Sequence, residues 1–112
     1  YRWMFVAAGP LEYAVVNKSF GFEVPEEGRG RIGYGNYDDT LAALEGWLST
    51  HEHVAGCFSA ADVYIGSHLG WGMFTGAIEK RSVFQDYAGR MMARPASLRA
   101  RSLDDALLPK QA

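Results

Sequence analysis

A chain of 112 residues, 48% of them hydrophobic, is long enough to bury one sizeable core and falls in the range where single domains are commonest. A formal net charge of −2 is too small to draw a nucleic acid or an acidic membrane by long-range electrostatics. No stretch approaches the roughly 20 apolar residues that cross a bilayer, because charges or glycines interrupt every hydrophobic segment. The single cysteine, Cys57, has no partner for an intramolecular disulfide, and no charged leader with a cleavable apolar run is present, which points to a cytoplasmic protein.

The chain opens without an initiator methionine, inside a segment that already reads as helix, so it is expected to be a fragment. From Tyr1 to about Phe20 it is apolar on nearly every side, as expected of a helix packed on several faces. Gly9-Pro10 predicts a kink and not an end, since the pattern resumes with Leu11, Val15 and Val16. Met4, Ala8, Leu11 and Val15 form the stripe expected to face core or partner. Gly21 to Asn36 has no sustained periodicity and reads as a long, mobile connection.

The second helix is expected to start at Asn36 as N-cap, with Asp39 at the third helical position and Tyr37, Leu41, Leu44 and Leu48 on one face. His51 to Cys57 is a turn. The third helix carries the sharpest local signal: Ser59 as N-cap, Asp62 reaching back from N3, and Phe58 and Val63 placed as a hydrophobic staple. It is expected to reach about Trp71. A fourth runs from roughly Ser82 to Ala93 and ends at Arg94-Pro95, where Pro95 can open a short final helix. No alternating run bounded by turns is found, so the fold class is all-α, a compact helical bundle.

Several groups invite chemistry and are better explained otherwise. Gly28-Arg29-Gly30-Arg31-Ile32-Gly33 matches a dinucleotide fingerprint by letter, but Glu26 and Glu27 precede it where a buried strand belongs. His51 and His53 offer only two imidazoles in what reads as a solvated turn, so no metal site is expected. Cys57 reads as a small buried or half-buried thiol. Lys80, Arg81, Arg90, Arg94, Arg99 and Arg101 read as a solvated basic face without the aromatic interleaving of a nucleic-acid site. Trp3, Phe5, Tyr13, Tyr64, Trp71 and Phe74 are expected mostly to fill the core, with pocket lining as the alternative.

With these elements placed, residues 1–101 resemble the C-terminal domain of bacterial cytosolic glutathione transferases, leaving 102–112 as a tail. The resemblance rests on Arg2 to Glu12 (RWMFVAAGPLE), on Leu44-Glu45, on Arg94-Pro95-Ala96 and above all on Ala55 to Tyr64 (AGCFSAADVY). The turn at Gly56-Cys57-Phe58 departs from the family's pattern in being one residue shorter. The resemblance implies a transferase of detoxification that conjugates glutathione with small hydrophobic electrophiles, as a homodimer. It implies that the catalytic residue and most glutathione contacts belong to a thioredoxin-like domain absent here, so no catalytic residue is assigned. To this chain it gives a wall of the electrophile pocket, with Phe5, Gly9, Glu12, Tyr13 and Trp71 as candidates converging on one open cleft, while the first helix also supplies a self-association surface. A non-catalytic helical interaction module of the same fold is the alternative.

Overall fold

The computed structural model describes residues 1–108. The first helix is built in three pieces: α1 (Arg2–Val6), a π-turn (Ala7–Leu11) and α2 (Glu12–Ser19). Pro10 lies inside the π-turn and has no N–H to give, and its ring would clash with the preceding turn of a regular helix. Widening the turn by one residue absorbs both problems: the Glu12 N–H donates to the Ala7 carbonyl five residues back, and the axis continues into α2.

The widened turn also sets the buried stripe. Ala7, Leu11 and Ala14 are buried, with Trp3 packed against the same core, whereas Met4 and Ala8 are exposed. The stripe expected from a uniform 3.6-residue period, Met4-Ala8-Leu11-Val15, is therefore displaced upstream of Leu11, because a π-turn brings positions 7 and 11 nearly into line.

The connection after α2 contains a 3₁₀ turn (Glu26–Arg31) and leads to α3 (Tyr37–Leu48). Asn36 caps α3 by accepting the Asp39 N–H at 2.8 Å, and Leu41, Leu44 and Leu48 turn inward as their spacing predicts. After the turn at 49–59 comes the central helix α4 (Ala60–Thr75). It runs a full turn beyond Trp71, because nothing breaks it until Gly76, which closes it in the left-handed conformation at φ +82°. The Ile78 N–H then folds back onto the Gly72 carbonyl at 2.9 Å.

Next come α5 (Ser82–Met92), which buries Phe84, Tyr87, Ala88 and Met91 against α4, and α6 (Pro95–Leu107), opened by Pro95. Six α-helices and no strand are present among the described residues, so the all-α expectation is met. None of these helices is long and apolar enough to cross a membrane. The core gathers α1 to α5 around Leu11, Leu41, Ile65, Leu69, Phe84 and Tyr87. α6 runs through position 101 to Leu107, with every described residue beyond Ser97 exposed. The molecule measures 52 × 37 × 25 Å, with a radius of gyration of 15.4 Å, above the roughly 13 Å expected of a chain this long.

Candidate functional site

Two places concentrate polar chemistry. The first is the start of α4, where Ser59 and Asp62 form the predicted capping box: the Ser59 hydroxyl accepts the Ala61 N–H at 3.3 Å, and Asp62 Oδ2 accepts the Ser59 N–H at 3.0 Å. Asp62 does more than cap. Its side chain is 0% exposed, and Oδ1 also accepts the Val54 N–H at 3.0 Å and the Tyr87 hydroxyl at 2.7 Å. Burial pushes the Tyr87 hydroxyl above its ordinary range, and its bond to Asp62 adds to that. The Nδ1 atom of His53 is buried 3.6 Å from Asp62 Oδ1 with no hydrogen-bond partner.

The 51–57 turn is thus less solvated than its polar letters suggest: His53 faces Asp62, and His51 stacks on Trp47 at 3.7 Å. Cys57, expected to be at least half buried, is exposed beside Gly56, whose φ of +86° turns the chain outward there. Phe58 meets the Arg94 guanidinium, 3.3 Å above its ring, and the edge of His53, while Val63 stays exposed. Three of the six basic residues have partners: Arg81 pairs with Glu45 at 2.8 Å and Glu79 at 3.1 Å, Arg90 donates to the Glu52 carbonyl, and Arg94 stacks on Phe58, while Lys80, Arg99 and Arg101 are exposed. The glycine-rich stretch at 28–33 sits on a 3₁₀ turn and its exit, without the strand and helix a dinucleotide site needs. No group of three or more metal-binding side chains is found among the described residues.

The second place is the seam between the first helix and α4. Glu12 Oε2 lies 3.6 Å from His68 Nδ1, and the His68 ring lies 5.1 Å from that of Tyr64. Trp71 follows His68 by three positions, so Tyr64, His68 and Trp71 share one face of α4. Trp71 is 67% exposed and leans on Phe74, also exposed; Phe5 is 72% exposed on α1. At Gly9 a side chain would meet nothing within 4 Å, which leaves room for a ligand to come close.

Of the five pocket candidates, Glu12 is therefore brought to the helix that carries Trp71, and Phe5 and Tyr13 stand exposed on the first helix. No contact joins Phe5 or Tyr13 to Trp71, and none of the five lines either of two cavities beside the first helix. The aromatic residues expected mostly in the core are mostly outside: of Trp3, Phe5, Tyr13, Tyr64, Trp71 and Phe74, only Trp3 packs against the core cluster. His68 was missed. Only its position one turn before Trp71 marked it, and its pairing with Glu12 is a tertiary event. Comparison with protein-family models, with curated proteins and with solved structures finds no match for the chain.

Proposed function

We propose that this chain is the C-terminal helical domain of a bacterial glutathione transferase, paired in the parent protein with a thioredoxin-like domain that binds glutathione. The reading rests on the resemblance of the 55–64 block, and the observation that carries it is the working of that block in the fold. Ser59 and Asp62 start an interior helix, and Asp62 locks it to α5. The exposed aromatic flank supports the assignment of a pocket wall. In a single domain, large apolar side chains left exposed call for a covering surface, and the flank of α4 at Tyr64, Trp71 and Phe74 offers one to a second domain and a hydrophobic electrophile. Glutathione is the co-substrate in this reading, the parent is a cytoplasmic homodimer, and the first helix contributes to both pocket and dimer.

The parent gene tests the proposal. Residues preceding Tyr1 should form a thioredoxin-like domain, and Trp71→Ala in that parent should raise KM for an aromatic halide several-fold while KM for glutathione holds. A parent without such a domain, or conjugation indifferent to Trp71 and Phe5, would overturn the reading. A thioredoxin-like partner without conjugating activity would favour the non-catalytic interaction module.

A further inference from the structure

An open groove of about 300 Å³ lies between the π-turn and α3. Trp3, Val6, Pro10 and Leu11 form one wall and Ala43 and Leu44 the other, so its lining is predominantly apolar. Fixed neighbours hold the walls apart. Trp3 rests against Trp47 at 5.4 Å, and Trp47 is itself anchored by its indole N–H on the Val54 carbonyl. One edge is Tyr34, pinned at both ends: Thr40 Oγ1 donates to its carbonyl at 2.9 Å, and its hydroxyl accepts from Asn17 Nδ2 at 2.9 Å. The space is therefore preformed, and binding there would not have to order a loop first.

One acidic residue lines the groove, the solvent-exposed Asp39. Asn36 orients it by donating from Nδ2 to Asp39 Oδ2, while the Thr40 hydroxyl is occupied by the Tyr34 and Asn36 carbonyls. An apolar groove with a carboxylate at its edge selects an apolar body ending in a cation and repels an anion. A cavity of about 150 Å³ holds one benzene ring, so about 300 Å³ suits a two-ring body or a chain of similar bulk.

We infer that this groove is a binding site for a small hydrophobic amine, its apolar body between the π-turn and α3 and its ammonium against Asp39. The inference is independent of the transferase reading, because none of Phe5, Gly9, Glu12, Tyr13 and Trp71 lines the groove.

Amide and indole NMR shifts of the whole ¹⁵N-labelled chain test it, with 1-naphthylmethylamine as probe and 1-naphthoate as its anionic counterpart. The amine should give saturable shifts confined to Trp3, Gly33, Ala43 and Leu44, and bind about fivefold tighter than the acid, the upper range of an ion pair at an exposed carboxylate. Ala43→Leu, which fills the groove, should weaken the amine about tenfold or more, and Asp39→Asn should remove the preference for amine over acid. Shifts centred on Phe5 or Trp71, equal affinity for the two probes, or undiminished binding to Ala43→Leu would overturn the inference. Asp39→Asn keeps the test decisive if the leucine variant does not fold.

Discussion

Asp62 shows how one side chain joins three parts of the chain. Its carboxylate accepts from the Val54 N–H in the turn, the Ser59 N–H at the helix start and the Tyr87 hydroxyl on α5. Replacing it by Ala strands two buried donors and a part-buried one, so Asp62→Ala should cost about 3–5 kcal/mol, well beyond the ~1 kcal/mol of an ordinary cap. Tyr87→Phe removes one donor and leaves the others served, and should cost about 1–2 kcal/mol. Urea unfolding at neutral pH checks both. Because the folded state raises the Tyr87 hydroxyl above its unfolded value near 10, the stability from this bond is fully present below that pH and is lost as pH climbs toward the folded value. Wild-type stability should fall above about pH 10 more steeply than that of Tyr87→Phe. The Ser59-Asp62 half of this arrangement was legible because capping is decided within four residues. Val54 and Tyr87 were not, since nothing local marks a donor 25 positions away as the partner of a carboxylate.

At the scale of elements, the contact between α4 and the turn leading out of it depends on missing side chains. Gly72 is buried where the chain folds back, and a Cβ there would lie 2.5 Å from Ile78 Cγ1 and 3.0 Å from its Cβ. Gly72→Ala should therefore destabilise by about 1–3 kcal/mol by overpacking, despite alanine's better helix propensity, and thermal unfolding would show it. The arm α6 behaves oppositely. Its described residues beyond Ser97 are all exposed, so deleting 102–112 should change stability by less than about 0.5 kcal/mol. A larger loss would mean that this stretch packs on something in solution. Helix starts at Asn36, Ser59 and Pro95 were readable because each carries its own capping chemistry. The extent of α4 was misjudged at Trp71 because helix length there is set by the first residue that can leave the helix, Gly76.

For the molecule as a whole, the distribution of aromatic rings matters more than their number. Phe5, Tyr13, Trp71 and Phe74 are exposed although apolar periodicity alone would place such rings inside. A helix apolar on every side, like α4, does not disclose which side a neighbouring domain covers, and this is why the candidate site was only partly readable. The chain alone should show no turnover of glutathione with an aromatic halide above the uncatalysed rate, since no residue here is assigned to thiol activation. Clear turnover would refute the division of labour proposed above. The same exposed rings should make the isolated chain associate with rising concentration, which sedimentation velocity would detect and Trp71→Glu should reduce.

The π-turn at Ala7–Leu11 makes the first helix a phase-keeping device. Its spare residue turns everything upstream by about 100° relative to a uniform α-helix of the same length. A single-residue insertion or deletion between Phe5 and Ala7 would leave composition and helicity almost untouched, yet would swing Trp3 off Trp47 and carry Phe5 to a different azimuth. Insertions and deletions of one residue in that turn should therefore be far less tolerated than substitutions.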